Sequence, residues 1–322
     1  MTSASASETE KKPGSIVISI DFNKTEYALG EPVITTISVK NNGVLQKTAD
    51  WISFNYSCLL HLEDMKGRNI MMSRVYGDIA IPIFIFNDTL KPGQAYSATF
   101  DLTRADVSSS SIQFPRLAKM PHFVNNRIDG YVVGPGTYRL IAEQLVDRPA
   151  KVTEPAYKVD GSGTFTIRES DEREKQALKL FETQPFFFIE TETENEARKA
   201  DAEQSQLDAM SAFDRVWNNY RDTVYAPYAL YYAARVSQKM GDNSGAINRY
   251  TILERSCKDF PLMADLLYYK TIALKDSGKK DEAIVVGQQL KEKYWDHLVA
   301  PTVETKRKGS SLRNLVSDLG IK

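Results

Sequence analysis

Apolar residues recur at two different periods along this chain, and the change of period divides it. From Ser15 to Asn23, "SIVISIDFN", Ile16, Ile18, Ile20 and Phe22 fall on one face. That alternation predicts a strand. Val33, Thr35, Ile37 and Val39 keep the same step, and Asn-Asn-Gly ends the run. Further apolar or alternating runs follow at "WISFNYSCLLHLED", "KGRNIMMSRV", Tyr96–Leu102, Tyr138–Ala142 and "GSGTFTIRE". Gly30, Pro32 and the Pro-Gly pairs between them mark turns. The pattern predicts seven or eight strands and no helix before Ser170, which suits an antiparallel β-sandwich. "IAIPIFIFN" at Ile79–Asn87 reads as a buried strand, and Arg104–Gly134 interrupts the rhythm as a long loop.

Beyond Ser170 the spacing becomes helical. "DEREKQALKLFE" opens this part, and "TQPFFFIE", with Phe186–Phe188, breaks it at a place suited to packing between domains. "YRDTVYAP" at Tyr220 and "YWDHLVAP" at Tyr294 repeat one ending. Three windows starting at Phe213, Tyr250 and Gly287 fall into register at a step of 37 residues. Val216, Leu253 and Leu290 align, as do Asp222, Asp259 and Asp296, Gly241 and Gly278, and Tyr231-Tyr232 with Tyr268-Tyr269. A self-similar step of this length predicts stacked helix pairs. Each pair turns at Gly241 or Gly278, and the aspartate after the second helix suits a turn or N-cap. Pro227 and Pro301 then fall where a first-turn proline is tolerated. The C-terminal "SSLRNLVSDLGI" puts Leu312, Leu315, Val316 and Leu319 on one stripe, as a cap for the open end would.

Two resemblances follow from these residues. The turn-and-strand order "Y-x-L-G-E-P-V … V-x-N-N-G … L-x-P-G-Q-x-Y-x-x-x-F-D-L … G-P-G-T-Y-R-L" resembles bacterial immunoglobulin-like sandwiches of the intracellular proteinase inhibitor type and of adhesion or envelope modules. Leu230, Ala234, Gly241, Ala246 and Tyr250, with Leu267, Gly278 and Ala283 in the next unit, resemble a tetratricopeptide repeat. Thr271 and Asp259 depart from that pattern. The "Tyr-x-Asp-x-x-x-Ala-Pro" linkage is similar to repeats of bacterial envelope proteins. The expected division is a disordered tail at 1–13, the sandwich at 14–169 and an all-α tetratricopeptide-like domain at 170–322. By this resemblance Tyr228, Tyr231, Arg235, Gln238 and Lys239 face a groove, joined by Asp265, Tyr268, Ile272, Lys275 and Asp276 of the next unit. The partner implied is a peptide or helix of another protein, because tyrosine and arginine anchor interfaces. Tyr232 and Tyr269 read as packing residues.

Charge and chemistry narrow the function classes. The 322 residues carry a formal net charge of −1, too balanced for a general nucleic-acid binder, and "KRK" at Lys306–Lys308 is a short solvated run. Two cysteines, Cys58 and Cys257, exclude a disulfide framework and read as buried small side chains. The three histidines, His61, His122 and His297, have no metal-ligand spacing. Cys58 and His61 fall on opposite faces of one strand, which defeats a dyad. No phosphate-binding loop, dinucleotide fingerprint or hydrolase elbow occurs, so no catalytic residue, metal or cofactor is expected. No apolar run is long enough for a spanning helix. The polar start "MTSASASETEKKPG" fits a cytoplasmic chain, or an exported one whose signal was removed and replaced by Met. The expectation is a non-catalytic scaffold that binds a protein partner in the helical groove. The alternative is an adhesion, glycan-binding or proteinase-inhibitor-like sandwich acting through the 104–134 loop.

Overall fold

The computed structural model describes residues 16–43, 47–50, 58–72, 87–101, 127–128, 131–132, 134–146, 157–182, 196–294, 297–299 and 312–321. The N-terminal tail, Ile79–Phe86, Phe186–Phe188, His122, Pro301 and Lys306–Lys308 lie outside these residues, as does most of the 104–134 loop.

Strands β1 (Ile16–Phe22), β3 (Ile34–Asn41) and β8 (Ala95–Asp101) form one sheet in the order β1-β3-β8, closed by β13 (His297–Val299). The other large sheet runs β2-β12-β11-β5-β6, from β2 (Glu26–Ala28), β12 (Tyr157–Arg168), β11 (Gly136–Val146), β5 (Cys58–Asp64) and β6 (Asn69–Met72). Two short pairs complete the β part, β4 (Lys47–Asp50) with β7 (Asn87–Leu90) and β9 (Arg127–Ile128) with β10 (Tyr131–Val132). Most pairings are antiparallel, but β2 joins β12 and β13 joins β8 in parallel.

Alternation decides what each strand buries. Ile16, Ile18 and Ile20 point inward from β1, Thr35, Ile37 and Val39 from β3, and Tyr138, Leu140 and Ala142 from β11. Phe165 of β12 is the centre of the aromatic core, with its ring 4.9 Å from Phe22, 6.0 Å from Tyr27 and 5.8 Å from Tyr138. The two sheets approach closely where β1 crosses β12. A Cβ on Gly161 would stand 2.4 Å from the Ile18 carbonyl oxygen, and one on Gly163 would stand 2.8 Å from that of Ile20. Only glycine permits this backbone-on-backbone contact.

Helices begin at Glu172. Asp171 accepts from the Glu174 N–H at 2.8 Å while Glu174 accepts from the Asp171 N–H at 3.0 Å, a reciprocal cap. It opens α1 (Glu172–Glu182). Then follow α2 (Glu196–Asn219), α3 (Ala226–Lys239), α4 (Asn243–Ser256), α5 (Met263–Asp276), α6 (Lys280–Tyr294) and α7 (Leu312–Asp318). The starts of α3 and α5, and of α4 and α6, are 37 residues apart, matching the repeat step. Gly241 and Gly278 hold φ of 83° and 76° in the connecting turns, the left-handed region that glycine enters without penalty. Ala229, Ala233, Ala234, Ala246 and Ala283 are fully covered, so paired helices approach closely. Leu315, Val316 and Leu319 of the C-terminal stripe are buried.

Several expectations need correction. The strands number more than eight, because three-residue and two-residue pairings leave too little periodicity to read. The segment 170–322 is not purely helical, since β13 adds an edge strand to the first sheet. Asp222 takes the turn rather than the cap: it stands in the turn before α3, whose N-cap is Tyr225 without a side-chain bond, and holds Arg173 of α1 at 2.6 Å. Asp259 likewise stands in a turn, and Leu262 is the N-cap of α5. Asp242, unremarked in the repeat alignment, caps α4 by accepting from the Gly245 N–H at 2.9 Å. Pro227 does lie in the first turn of α3. Cys257 is half-buried rather than enclosed, and burial raises its thiol pKa.

The β part and the helices share a core, because Ala28 and Ile34 pack with Phe181, Tyr225 and the apolar residues of α3. At this seam the Leu29 carbonyl accepts from Tyr225 Oη at 2.6 Å and from Ser170 Oγ at 3.2 Å. Arg168, at the end of β12, grips the Glu174 carboxylate with both terminal nitrogens at 2.8 and 2.7 Å. Such a fork fixes direction as well as distance. Beside it, the almost fully buried Glu31 pairs with Lys24 at 2.5 Å and accepts from the Ala28 N–H at 2.9 Å. Burial raises the Glu31 pKa, and the Lys24 charge opposes that rise.

Two substitutions probe this arrangement. Gly161→Ala forces β1 away from β12, with an expected loss of about 3 kcal/mol in chemical unfolding. An unchanged midpoint would show that the sheets are not held at that crossing. Tyr225→Phe removes one of two donors to the Leu29 carbonyl, and about 1 kcal/mol of stability should go with it.

Candidate functional site

The seven candidate residues divide into two sets. Tyr228, Tyr231 and Tyr268 are 4%, 3% and 2% exposed, so they are not the solvent-facing anchors the repeat pattern suggests. The Tyr228 ring lies 5.4 Å from Phe260, and the Tyr231 ring lies 5.6 Å from Phe260 and 6.4 Å from Tyr250. Tyr268 packs edge-on to Tyr269 at 5.1 Å. These rings fill the space between helices, where each brings a large apolar area. Tyr232 and Tyr269 are buried too. Arg235, Gln238, Lys239 and Asp265 remain part-exposed. Farther along α5, Ile272 is half-buried, Asp276 is exposed, and Lys275 turns to Asp318 at 3.0 Å.

The first set forms a floor and the second a rim. Side chains of α3 reach across to α5 at Tyr269. The Arg235 guanidinium lies 3.3 Å above the Tyr269 ring centroid, and its Nη1 donates to Tyr231 Oη at 3.4 Å. Gln238 donates through Nε2 to the Tyr269 carbonyl at 3.2 Å and accepts from Tyr250 Oη at 3.1 Å. Asp265 stands in the first turn of α5. Among the described residues nothing donates a hydrogen bond to its carboxylate, and no cation pairs with it.

Loss of hydration therefore dominates at Asp265 and pushes its pKa from 3.8 to about 7, against the attraction of Arg235. The same crowding raises the Tyr231 phenol well above its ordinary value, with the Asp265 charge adding to the rise. Tyr250 is raised as well, first by burial. A group shifted this far and still part-exposed is a candidate for binding.

At this point the chain can be set beside known proteins. No family model matches it. No curated protein matches it either. Among solved structures, it is similar to the CARDB domain of a Pyrococcus furiosus protein, crystallised with di-metal ions, at 12% identity and a TM-score of 0.24. That likeness covers 51% of this chain and 100% of the domain. It is similar to the Bacillus subtilis sporulation control protein Spo0M at 15% identity and a TM-score of 0.26, over 53% of this chain and 56% of that one. A Listeria innocua beta-glucosidase shares 15% identity at a TM-score of 0.23 over 48% of this chain, which spans 16% of the enzyme. Likeness at this level assigns neither fold nor activity.

Among the described residues no group of three His, Cys, Asp or Glu side chains could hold a metal ion, and no helix is long and apolar enough to cross a membrane. Tyr250 and Tyr269 hold Gln238 and Arg235, although the repeat alignment offers them only as pattern and packing residues. No sequence signal separates them, because a ring that fills between helices on one side can carry a guanidinium on the other.

Asp265 gives a pH test. The folded chain keeps its proton between about pH 4 and pH 7, where the unfolded chain has released it, so stability falls as pH rises through that window. Asp265→Asn removes the titration. Its melting temperature should rise relative to wild type from about pH 4 to pH 8 and hold a constant offset above, equivalent to about 2 kcal/mol after allowing for part exposure. A pH-independent difference would mean that the carboxylate is well solvated.

Proposed function

We propose that this protein is a non-catalytic binding protein in which an immunoglobulin-like β-sandwich is joined to a short tetratricopeptide-like solenoid, and that the solenoid holds a peptide or helix of a protein partner. The observation that carries the reading is the group of part-exposed polar side chains on α3 and α5. There Arg235, Gln238, Lys239 and Asp265 reach solvent over a floor of buried tyrosines. The solenoid reading is supported by the 37-residue step and by the glycine turns at Gly241 and Gly278. The sandwich reading is supported by two sheets packed about Phe165. Placement in a bacterial cell envelope rests on the resemblance of the repeat linkage alone.

Burial of the tyrosines changes how such a site works. A partner would meet a polar rim, and the rings beneath would hold that rim in place. Ordering costs are lower when the donors and acceptors are already fixed. Arg235 is such a group, because the Tyr269 ring and the Tyr231 hydroxyl orient its guanidinium before any partner arrives.

A photo-crosslinking amino acid at position 239 tests the reading in the full chain, with position 65, exposed on the β5–β6 turn, as control. Crosslinking in extracts of the source organism should yield a discrete adduct from position 239 and none from position 65. Arg235→Ala should abolish the adduct while helix content is unchanged. Adducts from position 65 alone, or from neither, would remove the helices from consideration as the binding surface.

A further inference from the structure

The last helix pair leaves one position that it does not fill from within. At the 37-residue step Tyr250 of α4 corresponds to Gly287 of α6. Tyr250 is fully buried, and its ring fills the space between helices. Gly287 has no side chain to do the same, and the end of the chain takes the volume. A Cβ on Gly287 would stand 2.7 Å from Ile321 Cδ1 and 3.2 Å from Leu319 Cδ1, with Thr271 Cγ2 of α5 at 3.7 Å. Glycine weakens a helix interior, so a notch made by it is a cost that its occupant offsets.

That occupant is a self-contained piece. The Ile321 N–H donates to the Val316 carbonyl at 3.0 Å and the Gly320 N–H to the Ser317 carbonyl at 2.9 Å, with Gly320 at φ 70°. These two bonds and the left-handed glycine form a complete helix-ending motif within α7 and its tail. Leu315, Val316 and Leu319 are buried, and Ile321 packs beside them. Asp318, on the exposed side, meets Lys275 of α5 at 3.0 Å. An exposed pair adds little strength, but it favours an acid over a base at that place. Lys275 is one of the positions that the repeat pattern puts in the groove, so the seat of α7 adjoins the proposed binding face. Seven residues are too few to keep a helix in water by themselves, so α7 is helical because it is seated.

We propose that the seat formed at Gly287 and Lys275 is a binding site for a short amphipathic helix, that α7 is its resident intramolecular ligand, and that a partner helix with the same features displaces it. Those features are an apolar stripe, an acidic residue in the last turn, and an apolar turn like Leu319–Ile321 after it. The displacement by a partner rests on the reading of the solenoid as the holder of a partner helix. A cap built into the repeat would fill the notch from α6 itself, as Tyr250 does from α4. Here a separate segment fills it, and that segment closes its own helix end. Because α7 belongs to the same chain, it competes at an effective concentration of roughly millimolar. The closed chain therefore admits only a helix that fits the seat well.

The test uses the full chain and a fluorescent peptide with the sequence of residues 310–322. Leu315→Ser with Leu319→Ser unseats α7 and leaves the seat unaltered. Fluorescence anisotropy should show saturable binding of the peptide to this variant, about tenfold tighter than to wild type, where α7 competes. Gly287→Leu, added to the variant, fills the notch and should abolish that binding; leucine favours a helix over glycine, so α6 is retained. A peptide carrying Asp318→Lys should bind more weakly, and Lys275→Asp in the protein should recover it. Absence of binding to the unseated variant overturns the proposal. So does equal binding to wild type, or binding that survives Gly287→Leu. Loss of helix content in the unseated variant well beyond α7 itself, read by circular dichroism, also overturns it, because α7 would then be part of the fold and not a ligand of it. Crosslinking from position 239 reports separately on the broader reading. An adduct there with no peptide binding defeats this inference alone. Peptide binding with no adduct from either chain defeats the broader reading and, with it, displacement by a partner.

Discussion

Close approach of helices around a layer of aromatic rings is the constraint on which the C-terminal half depends. Alanines on α3, α4 and α6 bring backbones together, and Tyr231, Tyr250, Phe260 and Tyr268 fill what remains between them. Close packing leaves little freedom in such an interior, because an altered ring displaces its neighbours. The layer also sets α5 against α3, and that arrangement brings Arg235 over Tyr269. The polar chemistry at the surface is thus a consequence of apolar packing beneath it.

The same economy governs the seam between the β part and the helices. One main-chain carbonyl, that of Leu29, takes hydrogen bonds from Tyr225 and Ser170, while Arg168 clasps Glu174 nearby. Both groups at the junction sit where backbone would otherwise be left unpaired, at the turn after β2 and the first turn of α1. Beyond α6 the chain returns to the β part as β13, which lies along β8 and against α5. Strand, seam and helix cap together tie the two halves at separated points, so that neither half is described completely by its own stretch of sequence.

Buried aromatic residues and surface anchors carry the same sequence signature in a helical repeat. Tyr228, Tyr231 and Tyr268 occupy groove positions by the repeat pattern, and all three are enclosed. Burial leaves Tyr231 in contact with a part-exposed polar residue of the candidate site. Tyr231 orients Arg235 through its hydroxyl, and both Tyr231 and Tyr250 face the Asp265 charge. Tyr231 and Tyr250 hold Arg235 and Gln238, which are part-exposed.

By itself the sequence determined where the period changes, which strand residues turn inward, the 37-residue step and its glycine turns. Those features depend on backbone geometry and local spacing, which act within a few residues. Only the tertiary structure decided what covers each face. It enclosed the tyrosines, set Asp222 against Arg173, and carried residues 297–299 to the edge of a distant sheet. It also left Asp265 without a donor among the described residues. Periodicity specifies the side of an element that a residue occupies, but burial, hydration and charge balance depend on elements brought close from far along the chain.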